Sequence, residues 1–399
     1  MAFNNRSQKI HSYYSNAPKL LYLGSVLRTL GYNLMGGFGM IYIFNLFLDT
    51  GFSEKQAFVL LLGRVALLYL VKLFLIFPTA GLVKRVGAKA LIVIGSGLSA
   101  LSMVTWALAA ENLWWLLIDI VLQAVLVNVY WVPFHSLFSD KNDESTMGKQ
   151  MGILTIIGSL ISIITPVVAG IVIEYFGGFN VLFAFSFLVF SMAAIAFSQM
   201  DAKLDVSCFD WKDLGKAFHK EKRLVPDYVV IGAEDLVQYT VWSVFVFLFI
   251  QSFLKLGILT SVISLALAIF SYFIGKMSDE RKVGGIDRFG AMFNGVIWIG
   301  KLFVENGLHV FFLDSLFGLF RTSYLVPIDV IVYSNAKHDN PMWPVIVREI
   351  ALDIGRVFMG VIAAVLIFLN LNYWSIFLVA AIGYILLGLL LKDNIVKRK

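Results

Sequence analysis

The sequence predicts an all-α polytopic membrane protein of about twelve transmembrane helices, arranged as two pseudo-symmetric six-helix bundles. Three observations predict it. The 399 residues are 59% hydrophobic and only 15% charged, with a mean hydropathy of +0.83. A water-soluble chain of this length needs roughly a quarter of its residues charged to cover its surface. The apolar residues gather into stretches of about 20, the length that crosses a bilayer as a helix. The basic residues fall on alternate connections, as membrane topology requires.

The spans lie near 20–48, 56–79, 89–110, 113–138, 149–175, 179–200, 226–252, 256–277, 289–304, 307–333, 343–369 and 373–391. The first is too long for the apolar core of a signal peptide, so it is expected to stay in place as a span. Basic residues cluster before the first span (Arg6, Lys9, Lys19) and after the second (Lys84, Arg85, Lys89). They recur after the fourth (Lys141, Lys149), from Lys203 to Arg223, after the eighth and at the end of the chain. The other face is expected to carry only Lys55, Lys255 and Lys301. The positive-inside rule then puts both termini in the cytoplasm, which requires an even number of spans. The expected location is the plasma membrane, and the expected state is a monomer.

The longest polar stretch, 201–225, divides the spans six and six. It separates an N-terminal bundle (1–200) from a C-terminal bundle (226–399). Within it Trp211, Leu214 and Phe218 recur at helical spacing, as in an amphipathic helix on the inner surface; a solvated linker is the alternative. The halves also resemble each other. The fourth span runs Asp119…Tyr130-Trp131-Val132-Pro133, and the tenth runs Asp314…Tyr324-Leu325-Val326-Pro327. A shared Asp…Tyr-x-Val-Pro pattern in matching spans is what a duplicated unit leaves behind.

Two connections carry a further signal. Gly275-Lys276-Met277-Ser278-Asp279-Glu280-Arg281 follows the eighth span, and Ala80-Gly81-Leu82-Val83-Lys84-Arg85-Val86-Gly87-Ala88-Lys89 follows the second. Both resemble the short loop motif of the major facilitator superfamily, in which an aspartate and basic residues surround glycines. The first copy keeps Gly275, Asp279 and Arg281; the second keeps Arg85 and Gly87 but has Lys84 where the family has aspartate. The resemblance implies that these residues latch the cytoplasmic gate. With the sign reversed at Lys84, Glu349 becomes the candidate partner. The fifth span, with Gly152, Gly158, Pro166 and Gly170, looks like the glycine- and proline-rich fifth helix of the same family.

Charges inside the apolar spans mark the chemistry. A charge at the bilayer centre costs from about 2.5 to above 10 kcal/mol, so each demands a partner or a water-filled cavity. Arg28, Arg64, Lys72, Glu234, Asp235, Asp314, Arg321, Asp329, Arg348, Glu349, Asp353 and Arg356 are such charges, of which Lys72, Asp329 and Arg348 are placed to snorkel. At about 100° per residue, Glu234, Asp235, Gln238, Tyr239 and Trp242 fall in one stripe. Asp314, Gly318, Arg321, Leu325 and Asp329 fall in another, and Asn128, Trp131 and His135 in a third. The resemblance implies that the first, fourth, seventh and tenth helices line a central cavity, and these stripes lie on three of those helices.

Asp235 or Glu234 is the candidate proton switch, since a carboxyl in a low-dielectric cavity can take up and release a proton in the working range. Arg28 is its candidate counter-charge or holds an anionic group on the solute, and Arg321 has the same two options. Static Arg28–Glu234 and Arg321–Asp314 pairs are the structural alternative. Five scattered histidines and the single Cys208 offer no metal set, and no phosphate-binding GxxxxGK[ST] loop or cofactor motif is present in the sequence. The expectation is a secondary transporter with alternating access, moving a small solute with protons, neither an enzyme nor a nucleic-acid binder. A non-transporting receptor or scaffold, a channel and a membrane-embedded enzyme are the alternatives.

Overall fold

The computed structural model describes residues 17–141, 144–201, 213–280, 286–338 and 342–390. Among the described residues the regular structure is helical throughout, without strands. The second to sixth spans are Glu54–Val86, Ala88–Ala109, Trp114–Lys141, Glu144–Tyr175 and Gly178–Ser198. The eighth to twelfth are Phe253–Glu280, Ile286–Gly300, Gly307–His338, Met342–Phe368 and Tyr373–Leu390. Seven helices are apolar and long enough to cross a membrane on composition alone, and two shorter ones are apolar. The ninth is short, 15 residues closed by a 3₁₀ turn at Lys301–Phe303.

The first and seventh spans are irregular where the sequence suggested single helices. The first is two helices, Ala17–Met35 and Phe38–Asp49. The break is at Gly36-Gly37, where Gly36 has a φ of 32°, a conformation that suits glycine. The seventh runs Val225–Leu236, then a π-helical turn Val237–Trp242, then Ser243–Ile250. Such a turn inserts an extra residue and rotates the remainder of the helix about its axis.

Within the first half the third span packs on the fourth and sixth, and the first on the fifth and sixth. Within the second half the seventh packs on the eleventh and twelfth, and the ninth on the tenth and twelfth. The halves meet chiefly along the fifth and eighth spans and along the second and eleventh. The fifth–eighth seam is backbone against backbone. A Cβ on Gly170 would sit 2.6 Å from the Phe253 carbonyl, and one on Gly257 would sit 2.3 Å from that of Pro166. Only glycine permits that approach. Tyr373 Oη donates to Glu54 at 2.5 Å and Lys55 Nζ to Asn370 at 2.6 Å, joining the halves again where the second span begins.

The polar stretch contributes a helix at Leu214–Glu221. Its apolar residues Leu214, Ala217 and Phe218 pack on Ile76, Val83, Trp343 and Ile346. The amphipathic face expected on the lipid surface therefore lies on the protein itself; Trp211 is outside the described residues. Lys301 is also corrected. Expected on a surface loop, it is buried at 1% exposure, because the ninth span ends early and its 3₁₀ turn folds the side chain inward.

Candidate functional site

Two cavities occupy the interior between the halves. The first, about 630 Å³, is bounded by the first four spans and by the sixth, seventh, tenth and eleventh. The second, about 470 Å³, lies among the first, fifth, seventh, eighth and tenth. Gly36, Arg321 and Leu325 line both, so the glycine break of the first span and the tenth-span arginine form the partition. Both volumes fall in the range of small-molecule sites.

The sequence candidates distribute unevenly over these walls. Trp131, Asp235 and Arg321 line the first cavity, and Gln238, Tyr239, Trp242, Asp314 and Arg321 line the second. Arg28, Asn128 and Glu234 are buried behind the lining. The seventh-span stripe does not face one neighbour: Glu234 and Asp235 precede the π turn, and Gln238, Tyr239 and Trp242 lie on it. Glu234 turns toward the twelfth span, Asp235 toward the tenth and eleventh, and Trp242 toward the ninth and tenth.

Arg321 is the junction of an acid–base network. It donates to Asp235 through Nη2, lies 3.5 Å from Glu234 through Nε, and reaches the Tyr239 hydroxyl at 3.4 Å. Arg356 donates to Asp235 at 2.8 Å and to Asp353 at 3.0 Å. Lys72, on the other half, donates to Glu349 at 2.8 Å and Asp353 at 2.9 Å. On the far side of Glu234, Tyr384 donates to it at 2.8 Å and meets Tyr324 at 2.6 Å, which accepts from Asn294 at 3.4 Å. The other oxygen of Glu234 is buried with no hydrogen-bond partner. Charge-assisted bonds of this kind are about twice as strong as neutral ones, and removing one member strands the rest.

Two further clusters flank the network. Arg64 pairs with Asp119, which also accepts from Ser102 at 2.9 Å and Thr105 at 3.0 Å. Lys301 Nζ lies 2.9 Å from Asp314 and 2.6 Å from the Gln238 carbonyl oxygen. It is boxed by the rings of Trp242 (4.3 Å), Trp298 (4.2 Å) and Phe317 (4.5 Å), each a favourable cation–π contact. Trp242 Nε1 donates to the same aspartate at 2.9 Å. Asn128 donates to the Lys72 carbonyl at 2.8 Å, a helix-to-helix tie.

Several expected pairings are not formed. Arg28 meets neither Glu234 nor Asp235; it donates to Ser99 and Tyr32, both at 2.8 Å, and lies 3.5 Å over the Tyr130 ring. Arg321, by contrast, does stand as counter-charge to Asp235 and Glu234, and the alternative static pair with Asp314 is not formed, because Lys301 lies against that aspartate. Lys72 does not snorkel: it is 1% exposed, held inward by two carboxylates. Arg348 is partly buried and donates to Glu349 at 3.1 Å. Glu349 is consequently occupied by Lys72 and Arg348, and the exposed Lys84 and Arg85 do not reach it. Gly87, with a φ of 90°, ends the second span as the loop motif requires. Gly275, Asp279, Arg281, His135 and Asp329 have side chains outside those described.

Tyr384 and Asn294 are site residues that the sequence pattern does not single out, and Lys301 stands out there only as a surface charge. For Asp119 and Tyr324 a signal exists. Both belong to the Asp…Tyr-x-Val-Pro repeat, and each repeated aspartate holds a cation from another helix of its own half. Among the described residues no group of His, Cys, Asp and Glu could hold a metal ion.

Comparison with known proteins agrees with this architecture. The sequence model of the Major Facilitator Superfamily matches residues 21–205. The uncharacterised protein YqgE of Bacillus subtilis (strain 168) is 24% identical over 242 residues, covering 57% of this chain and 56% of that protein. The chain thus matches about half the length of that relative. Solved structures of similar fold include a D-xylose-proton symporter (TM-score 0.72, 14% identity, 96% of this chain and 97% of that one). A peptide transporter POT (0.68, 12%, 94% and 93%) and the nucleoside transporter NupG (0.65, 14%, 96% and 100%) are similar as well. The first half of this integral membrane protein is thus similar to the Major Facilitator Superfamily, and the chain carries the fold of such transporters.

Proposed function

We propose that the protein is a proton-coupled secondary transporter, which moves a small solute by alternating access of its central cavity. The observation that carries this reading is the position of Asp235. It lines the first cavity and is bound by Arg321, which lines both, and by Arg356. Through Asp353 the same network continues to Lys72 on the opposite half. Protonating Asp235 would release two guanidinium partners and weaken the chain of pairs that joins the halves. Glu234, Tyr239, Tyr324 and Tyr384 face the same junction.

In this reading residues 1–200 and 226–399 rock as two bundles about the cavity, joined by the 201–225 loop. Both termini are cytoplasmic, the membrane is the plasma membrane, and the unit is a monomer without enzymatic activity. That one similar structure is described as a proton symporter supports the coupling. Purified protein in liposomes loaded with a pH-sensitive dye tests it. Solute-dependent proton entry in the wild type that disappears in Asp235→Asn would support the reading. Solute-dependent proton entry unchanged by both Asp235→Asn and Glu234→Gln would sink the assigned switch.

A further inference from the structure

The first-half wall of the first cavity carries a charge that nothing beside it balances. Among the described residues, the buried charges of that half are Arg28, Arg64, Lys72 and Asp119. Lys72 is taken by Glu349 and Asp353 across the cavity. Arg64 is taken by Asp119, whose Oδ1 is occupied by Ser102 and Thr105. Arg28 has only neutral company: the Ser99 and Tyr32 hydroxyls and the Tyr130 ring. It is 2% exposed, and its Nε has no hydrogen-bond partner.

A guanidinium cannot escape this by losing its proton. Aromatic faces stabilise the cation without neutralising it. A purely structural arginine would be expected to own a carboxylate, as Arg64 does. The two residues that hold Arg28, Tyr32 and Ser99, both line the cavity, so it sits one layer behind the surface a solute meets. Arg64 lines the same wall, and Trp106, Trp131 and Phe190 supply apolar surface around it.

We propose that the transported solute is an organic monoanion, a carboxylate on an apolar body, and that Arg28 is the residue that receives its anionic group. The carboxylate would replace the Tyr32 hydroxyl at Arg28, where the planar fork of the guanidinium matches its two oxygens. The apolar body lies against Trp106, Trp131 and Phe190. This rests on the transport reading above: a proton taken up at Asp235, on the facing wall, would make the cycle electroneutral, one proton with one anion.

The test is binding to the purified full-length protein by calorimetry. The probes are hexanoate and phenylacetate, each beside the amine and the alcohol of the same carbon skeleton. The acids are expected to bind the wild type in preference to their amines and alcohols. Arg28→Gln is expected to weaken acid binding by at least about tenfold, and Arg28→Lys by less. Should Arg28→Gln not fold, Tyr32→Phe serves instead, since removing the competing hydroxyl is expected to tighten acid binding. The proposal is overturned if neither acid binds, if amines or alcohols bind as tightly, or if Arg28→Gln binds acids like the wild type. Unchanged or weaker acid binding in Tyr32→Phe overturns it equally. Proton-driven uptake of an amine or a sugar would overturn it and leave the transport reading standing. Arg28-dependent acid binding without any flux in liposomes would overturn the transport reading and leave Arg28 as the receptor of a bound carboxylate.

Discussion

Lys72 on the second span donates to both Glu349 and Asp353 on the eleventh, at 2.8 and 2.9 Å, with 1% of the lysine exposed. The pair joins the two halves of the molecule at the edge of the larger cavity. A buried ion pair owes its existence to mutual neutralisation, so the informative change removes one member only.

Lys72→Ala leaves two buried carboxylates without their shared cation. A loss of about 3–5 kcal/mol is expected, which is the cost of stranding a buried charge. Thermal unfolding in detergent checks it. Lys72→Arg, which keeps the charge, is expected to lose markedly less, and equal losses would mean that packing, not charge, sets the effect.

Asp235→Asn is expected to abolish proton-driven accumulation while sparing solute exchange down its own gradient. The asparagine keeps the size of the side chain but gives Arg321 and Arg356 no charge to follow. Counterflow and uptake in the same liposome preparation separate the two activities. Loss of both would move Asp235 from coupling to solute binding or to stability.

A glycine on the fifth–eighth seam and one on the open face of the second span predict opposite outcomes. Gly257→Ala puts a methyl group 2.3 Å from the Pro166 carbonyl, so the helices must part, and a lower melting temperature is expected. Gly63→Ala meets nothing within 4 Å. It lies within the second span, so it should be neutral or stabilising by about 0.5–1 kcal/mol, through the backbone entropy glycine loses on folding. Equal melting temperatures for the two variants would show that the seam yields.

Lys301→Met is expected to destabilise the second half by up to about 3 kcal/mol, because the partly buried Asp314 would be left charged beside apolar rings. Pairing it with Asp314→Leu should recover most of that loss, since apolar side chains of similar volume often replace a buried ion pair without cost. The double-mutant cycle on melting free energies measures this coupling. Additive losses would show that the two residues act independently.

Much of this protein is legible in one dimension. Span number and span edges follow from apolar length, because a bilayer imposes the same thickness on every helix. The interior charges Arg28, Glu234, Asp235 and Arg321 stand out for the same reason: lipid makes each of them costly, so composition alone marks them as sites. Pro166 and Gly170 are visible too, and the structure puts both on the seam between the halves. Partner choice is not visible. Arg321 takes Asp235 rather than Asp314 because Lys301 turns inward at the end of a short ninth helix, and nothing in the spacing of charges reports where a helix stops. The seventh-span stripe assumes a fixed 100° per residue, whereas a π turn at Val237–Trp242 changes the register of Trp242 relative to Glu234 and Asp235, which precede it. Which helices may carry charge is set by the solvent and can be read along the chain. Which charges meet depends on helix ends, backbone irregularities and packing between distant spans, and these exist only once the chain has folded.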